Sequence, residues 1–206
     1  MKVTLDIASS DLKKLLNPMI TENCITLNDI SWHEYESLLR IFRDKPLLRL
    51  SYLEGDLEIM TNSPEHEMIK TLIGRLIEIY ALEKGIDLYG CGSATYKKEA
   101  KFRGLEPDES YCVGNRKDIP DLAIEVIITS GGIDKLKIYQ GLNIPEVLFW
   151  QEEKFTLYGL INELEGYQEI EQSQLLPELN LKQLAQYINP AEEPEMVRAY
   201  RQTIRN

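Results

Sequence analysis

Hydrophobic and polar positions along the chain alternate with helical spacing in two early segments. Residues 28–42 (NDISWHEYESLLRIF) predict a helix with Asn28 or Asp29 near its N-cap. Residues 63–85 (SPEHEMIKTLIGRLIEIYALEKG) predict a longer helix. The apolar residues of the longer helix recur on one side and mark a buried face, namely Ile69, Leu72, Ile73, Leu76 and Tyr80.

The rest of the chain predicts strands and further helices. The segment PLLRLSYLEGDLEIMTN predicts a β-hairpin that turns at Glu54-Gly55. Further strands are predicted in IDLYGCGSATYK, LEPDESYCV, DLAIEVIIT, EVLFW and KFTLYGL, and helices in IDKLKIYQGL, LNLKQLAQYI and EPEMVRAYRQTIR. This order predicts an α/β (α+β) fold, in which a mixed central β-sheet is flanked by helices, with an N-terminal helix and the β-hairpin. We expect a single domain over residues 1–206, since 206 residues suffice for one domain with a core.

Carboxylates stand in strands that lead toward this core. Asp121 and Glu125 share one face of their strand but lie roughly 13 Å apart along it, which is too far to share one ion. Asp108 is the better partner, because antiparallel pairing about a turn at residues 116–117 sets it opposite Glu125, with Cβ atoms about 5 Å apart. Two like charges that close repel unless a cation or proton lies between them. The spacing therefore predicts a divalent-metal site if the strands have this register.

Two helices carry further charged candidates. Lys135 lies at the edge of the apolar stripe of its short helix, from where it can lean over the end of the sheet that carries Glu125. Glu65 and His66 lie on the apolar side of the longer helix, so Glu65 is a candidate third acid. Each has a structural alternative: a surface lysine, a glutamate that favours the helix N-terminus, and a satisfied, partly buried histidine.

Asp108 and Asp121 also have structural alternatives, since an aspartate in a turn-rich stretch often bonds its local backbone and Asp121 stands at the start of its strand.

Composition limits the other chemistries. The net charge of −11 counts against a broad basic face for nucleic acid, although a local groove could use Lys97, Lys98, Lys101 and Arg103. Two histidines leave little room for a zinc site, and the spacing of the three cysteines is not typical of metal ligands. We expect reduced thiols in a cytoplasmic protein, because no apolar run approaches the roughly 20 residues of a membrane span and the N-terminus lacks a secretion signal.

Three carboxylates and a lysine on a helix–strand–strand–strand–helix–strand core resemble the PD-(D/E)XK nuclease superfamily. More narrowly, the chain is similar to the Uma2 family, also called DUF820, of restriction-endonuclease-like proteins common in cyanobacteria. The matching pieces are YLEGDLEIMTNSPEHEMI, EPDESYCVGN, IPDLAIEVIITSGGIDKLKIYQGLNIPEVLFW and LLPELNL, in this order. They are spread from about residue 52 to residue 181, a span that includes most of the chain.

The resemblance implies that Asp108 and Glu125 are the acids of the first and second motifs. Mg²⁺ or Mn²⁺ would be held by both carboxylates and by the backbone carbonyl of Val126. The superfamily pattern has a lysine two residues after the second acid, where this chain has Ile127, and Lys135 on the following helix takes that role. With Glu65 as an auxiliary catalytic acid, the resemblance implies hydrolysis of DNA phosphodiester bonds, and it is compatible with a homodimer because such nucleases often pair to cut two strands.

Two other functions remain open. The acidic composition and the absence of a recognisable DNA-reading segment favour a catalytically inactive nuclease fold that serves as a binding or dimerisation module. Paired carboxylates also serve hydrolases of other substrates, such as sugars. The lysine fits that chemistry poorly.

Overall fold

The computed structural model describes residues 22–42, 48–128 and 132–205. The chain forms two compact units, each assembled from separate segments. The first contains the described residues up to 64, together with 95–106 and 132–142, and the second contains 65–94, 107–128 and 143–205. The prediction of a single domain over residues 1–206 stays a prediction.

The described residues contain five α-helices and eleven strands. The α-helices are α1 (Trp32–Phe42), α2 (Pro64–Lys84), α3 (Lys135–Leu142), α4 (Leu181–Ala185) and α5 (Glu193–Arg205). The strands are β1 (Asn23–Leu27), β2 (Leu48–Leu53), β3 (Asp56–Thr61), β4 (Leu88–Gly90), β5 (Tyr96–Lys98), β6 (Arg103–Leu105), β7 (Glu109–Val113), β8 (Leu122–Ile127), β9 (Glu146–Gln151), β10 (Lys154–Asn162) and β11 (Gly166–Glu169). Short 3-10 helices occur at Glu99–Lys101 and Pro190–Glu192.

The first unit is built on an antiparallel sheet with the strand order β1-β3-β2-β6-β5. The predicted hairpin is confirmed: β2 and β3 pair directly, and their turn has positive φ at Glu54 (50°) and Gly55 (108°). Alternate residues of the sheet join α1 in one apolar core, whose buried members are Ile30, Trp32, Tyr35, Leu38, Leu50, Tyr52, Leu57 and Ile59. The period of two in β2 and β3 thus turns one face of the sheet toward this core.

The N-cap of α1 differs from the prediction. Ser31, rather than Asn28 or Asp29, precedes the helix, and its Oγ accepts the backbone N–H of Glu34 at 3.3 Å. The Glu34 carboxylate accepts the backbone N–H of Ser31 in return, at 2.8 Å. This reciprocal pair satisfies two amide groups that the helix itself cannot, so it determines where α1 begins.

The second unit is built on a mixed sheet with the strand order β11-β10-β9-β8-β7-β4. Its strands pair antiparallel except for β8 and β9, which are parallel. Helix α2 contributes its predicted apolar face to a core with β7, β8 and β9, which includes Leu72, Ile73, Leu76, Tyr111, Leu122, Ile124 and Leu148. This mixed sheet with its helices is the predicted α/β (α+β) core.

Two predicted strands are divided in the structure. The segment IDLYGCGSATYK supplies β4 to the mixed sheet and β5 to the antiparallel sheet, with Cys91 to Thr95 between them. The segment LEPDESYCV lies partly in β6 and partly in β7, on either side of Pro107. A proline cannot donate to a strand ladder, and the glycines at 90 and 92 weaken a continuous strand, so both segments change sheets at these points. The described residues therefore contain two sheets where one central sheet was expected.

No helix in the described ranges combines the length and the apolar character needed to cross a membrane.

Candidate active site

The antiparallel pair β7 and β8 has the register that the sequence predicts. Glu109, the first residue of β7, pairs with Ile124 of β8. Asp108 directly precedes β7, and Glu125 directly follows Ile124 within β8. The same register, continued by one residue, therefore sets Asp108 beside Glu125 on adjacent strands.

Asp108 is engaged at both carboxylate oxygens. Oδ2 accepts a hydrogen bond from the backbone N–H of Val126 at 2.8 Å, and Oδ1 lies 2.9 Å from Nε2 of His66. The Asp108 side chain is buried, with 4% of the residue exposed. These two contacts come from different elements, β8 and α2, so together they set the position and orientation of the carboxylate.

Glu125 lies in the middle of the mixed sheet. Its strand β8 has β7 on one side and β9 on the other, and Glu125 pairs in register with Phe149 of β9. The residue is 0% exposed, and its neighbours Ile124 and Val126 belong to the apolar core. Burial of a carboxyl group in such a strand costs free energy. Glu125 is therefore the residue of this strand that packing alone explains least.

From α2 it is His66 that reaches Asp108. His66 is 1% exposed, whereas Glu65 is exposed in the first turn of the helix. The spacing of His66 to Ile69 and Ile73, three and seven residues on, is the signal in the sequence for its burial. The sequence alone predicted a satisfied, partly buried histidine, and the structure adds its contact with an acid of the candidate site. The role of Glu65 stays a prediction.

Asp121 lies at the other end of the β7–β8 pair and has local partners. Its Oδ2 accepts the backbone N–H of Val113 at 2.8 Å, and its two oxygens lie 2.6 and 2.7 Å from Nζ of Lys117. Both partners belong to β7 or to the connection between the two strands. Asp121 therefore stabilises that connection, in agreement with the structural alternative.

Lys135 begins α3 and belongs to the first unit, whereas Asp108 and Glu125 belong to the second. The start of α3 is held by Glu58 of β3, a glutamate that is 1% exposed. Its Oε2 accepts the backbone N–H groups of Gly132 at 2.8 Å and Ile133 at 3.3 Å. Glu58 thus positions the residues that lead into the helix.

The Cys24 thiol shares this environment. Burial and the nearby Glu58 carboxylate raise its pKa to about 12, while Lys135 acts in the opposite direction. The thiol therefore stays protonated at neutral pH, and Lys135 lies within electrostatic reach of it. Glu58 was not among the residues predicted from the sequence, although the alternation of LEIM in β3 turns it away from the core that Leu57 and Ile59 enter.

The acids of β7 and β8 suit a hard divalent cation. Carboxylate oxygens are the ligands that Mg²⁺ and Mn²⁺ prefer, and Mg²⁺ is often held by one or two carboxylates, with water and substrate phosphates as its other ligands. Asp108 and Glu125 fit this donor set. Over the described ranges, no group of three or more His, Cys, Asp or Glu side chains could hold a metal ion.

A mixed sheet with flanking helices and two buried acids on adjacent strands defines a restriction-endonuclease-like α/β protein. The model of the Uma2 family, described as "putative restriction endonuclease", matches residues 32–189, and the chain belongs to this family. The matched residues include both acids, His66 and Lys135. No curated protein matches the chain.

Proposed function

We propose that the protein is a metal-dependent endonuclease that hydrolyses DNA phosphodiester bonds. The observation that carries this proposal is the pairing of two buried acids: Asp108 and Glu125 occupy neighbouring places on adjacent strands of the mixed sheet. Two carboxylates this close repel each other, whereas a divalent cation placed between them is stabilised by both. Membership of a family described in terms of restriction endonucleases supports the same activity.

Asp108 and Glu125 would hold Mg²⁺ or Mn²⁺, together with the backbone carbonyl of Val126. When bound, the ion would supply positive charge to a phosphate oxygen and acidify a water molecule. His66 and the backbone N–H of Val126 keep the Asp108 carboxylate in place before any ligand arrives. Such preorganisation lowers the cost of assembling the site during the reaction.

Lys135 is proposed to supply an ammonium group that orients the attacking water or stabilises the charge developing on the phosphate. The support for this role is the resemblance of α3 to the lysine-bearing helix of the family. Glu65 is proposed as an auxiliary acid on the same ground, and its exposure leaves it accessible to water and ions.

DNA is the proposed substrate and partner, and a homodimer would allow both strands to be cut. The net charge of −11 means that DNA would have to approach a local basic surface. The candidate is the hairpin of β5 and β6, where Lys97 and Lys101 are exposed, and DNA would have to displace the ion pair of Lys97 with Glu36. We propose a cytoplasmic location, consistent with the free thiols of all three cysteines.

A second candidate function is a binding or dimerisation module that keeps the nuclease fold without catalysis. The observation that favours it is the engagement of both Asp108 oxygens by His66 and Val126, since these contacts also explain the aspartate as a purely structural residue. The acidic net charge points in the same direction.

Substitution of Glu125 by glutamine separates the two functions. We expect wild-type protein to nick or cut supercoiled DNA in Mg²⁺ or Mn²⁺, and to gain thermal stability from the metal, because a ligand that binds only the folded state raises its stability. Glu125→Gln should lose both the cleavage and the metal-dependent rise in melting temperature. Calorimetric titration with Mn²⁺ measures the binding directly.

Glu146 provides a matched control in the neighbouring strand β9. It is also a buried glutamate, but its carboxylate accepts the Ser173 hydroxyl at 2.5 Å and the backbone N–H of Gln174 at 2.7 Å. Glu146→Gln should lower the melting temperature, but addition of the metal should still raise it by as much as in the wild type. If wild-type protein binds no metal and leaves supercoiled, linear and branched DNA whole, the non-catalytic function is the correct one.

A further inference from the structure

Two cysteines of the second unit lie in contact. The Sγ atoms of Cys91 and Cys112 are 3.5 Å apart, and both thiols are free. We propose that Cys91 and Cys112 are a redox modification site, which a peroxide or a low-molecular-weight disulfide oxidises to a reversible disulfide. This site is independent of the proposed nuclease activity.

The backbone around the two cysteines already brings their side chains together. In the β4–β7 pair Tyr89 lies opposite Cys112, and the backbone N–H of Cys91 donates to the carbonyl of Ser110 at 2.8 Å. Cys91 and Cys112 are therefore diagonal neighbours on one face of the sheet. A disulfide bond is about 2.05 Å long, so the sulfur atoms must approach by about 1.5 Å.

The movement needed falls on a segment that can adjust. Cys91 follows the last residue of β4 and is flanked by Gly90 and Gly92, the second of which has φ of +61°. Glycines tolerate a wide range of backbone angles, so the Cys91 end can move while Cys112 stays in β7. The strain of closure is thereby confined to the connection after β4.

The two thiols differ in access, which sets the order of the reaction. Cys91 is half-buried, whereas Cys112 is buried and its thiol donates to the carbonyl of Lys117 at 3.6 Å. Burial, and then the neighbouring Cys91, raise the pKa of the Cys112 thiol. Cys91 therefore meets the oxidant first, and Cys112 is the resolving thiol.

With hydrogen peroxide, the Cys91 sulfur attacks one oxygen, the O–O bond breaks, and sulfenic acid and one water are formed. The Cys112 sulfur then attacks the Cys91 sulfur, the S–O bond breaks, and a second water leaves with the thiol proton. In total two S–H bonds are lost, one S–S bond is formed, and one peroxide is reduced to two waters. With a small disulfide as oxidant, two small thiols are released instead.

The product would link the edge strand β4 to β7, whose first residue follows Asp108. A cross-link between residues 91 and 112 closes a loop of moderate length and restricts the unfolded chain. The oxidised protein should therefore melt at a temperature several degrees higher than the reduced protein, and dithiothreitol should reverse the change.

The experiment treats the full chain with hydrogen peroxide or oxidised glutathione and maps its peptides by mass spectrometry without reduction. We expect a peptide pair joined through Cys91 and Cys112, with the loss of two hydrogens. Cys91→Ser should abolish the pair. Cys24→Ser is the matched control and should leave it unchanged, because Cys24 lies in the other unit beside Glu58.

Three results would overturn the inference: glutathione or sulfenic acid that persists on Cys91 while Cys112 stays a free thiol, a link that involves Cys24, or no oxidation of Cys91 under conditions that oxidise an unfolded control. The wild-type protein alone decides between these results, so the test does not depend on the folding of a variant. DNA cleavage is not measured, so failure here leaves the proposed nuclease function untouched.

Discussion

Asp108 and Asp121 stand at opposite ends of the β7–β8 pair and share one structural device. Each follows a proline and precedes a strand, and each accepts a backbone N–H from the partner strand at 2.8 Å, that of Val126 for Asp108 and that of Val113 for Asp121. A proline cannot donate to a strand ladder and so stands outside each strand here, and short acidic side chains readily bond nearby backbone. The bond to the partner strand therefore says nothing about catalysis.

The two aspartates differ in what else surrounds them. Asp121 pairs with Lys117, a partly exposed lysine four residues earlier in the same connection. Asp108 contacts the buried His66 of another element and lies beside the buried Glu125. The contact with His66 is compatible with a structural aspartate as well as with a catalytic one. The functional difference between the two aspartates therefore lies in Glu125, the second buried acid that only Asp108 has beside it.

The sharpest test of this comparison replaces each aspartate by asparagine in a separate variant. An asparagine oxygen can still accept the backbone N–H, so both variants should fold, each with an unfolding free energy reduced by about 1–2 kcal/mol. Asp108→Asn removes a proposed metal ligand and should lower DNA cleavage roughly a thousandfold. Asp121→Asn should cleave at the wild-type rate. Initial rates on supercoiled plasmid, measured with urea unfolding curves, give both quantities.

Equal losses of activity in the two variants would contradict the comparison, because they would show that the device at the strand ends, rather than the acid pair, governs cleavage. Loss of folding in both would be visible in the unfolding curves, and Asp108→Glu then offers a charge-preserving variant for the same measurement.

The pairing of Asp108 with Glu125 could be predicted from the geometry of β-sheets. The register of β7 and β8 could be predicted because a turn-rich stretch separates two strand-like runs, and one register then determines every pair. The contact between Asp108 and His66 could not, since it depends on how α2 packs against the sheet. Helical spacing assigns His66 to the buried face but does not identify its partner.

The division of the strands into two sheets could not be predicted from local sequence patterns either. Single strands were predicted where the chain leaves one sheet and enters the other, at Cys91–Thr95 and around Pro107. Hydrophobic alternation reports which residues face a core but not which core they face. Glu58 illustrates the same limit, because its partners Gly132 and Ile133 are more than 70 residues away in the chain.

A second test compares the lysines. Lys117 pairs with the buried Asp121 in a part-buried ion pair, so Lys117→Ala should cost about 1–2 kcal/mol of stability and leave cleavage unchanged. Lys135→Ala should lower cleavage roughly a hundredfold by removing the proposed ammonium group. Mn²⁺ affinity should persist in Lys135→Ala, because the metal ligands remain. Plasmid cleavage and calorimetric titration separate the two effects.

Lys137 is the control on the same helix, since it is exposed and its Nζ lies 3.7 Å from Asp134. Cleavage by Lys137→Ala should match the wild type. If Lys135→Ala also matches it, the catalytic role of Lys135 is wrong, while the proposal for the acid pair is unaffected.

The smallest expected effect concerns Glu109, which directly follows Asp108. Its substitution tests whether every acid near this strand end contributes to cleavage. Glu109 is partly buried, and burial raises its pKa above the ordinary value of 4.5. Because the folded state favours the protonated form, Glu109 lowers the stability of the fold progressively as the pH rises from 4.5 through its raised pKa. Glu109→Gln should remove this dependence. The variant and the wild type should therefore melt at the same temperature at about pH 4, and the variant should melt at a slightly higher temperature at about pH 8.

Cleavage by Glu109→Gln at neutral pH should be unchanged, because Glu109 faces the opposite side of β7 from Asp108. A melting-temperature difference that is constant across this pH range would show that the carboxyl group of Glu109 does not titrate differently in the folded state, and a loss of cleavage would place a third acid in the site.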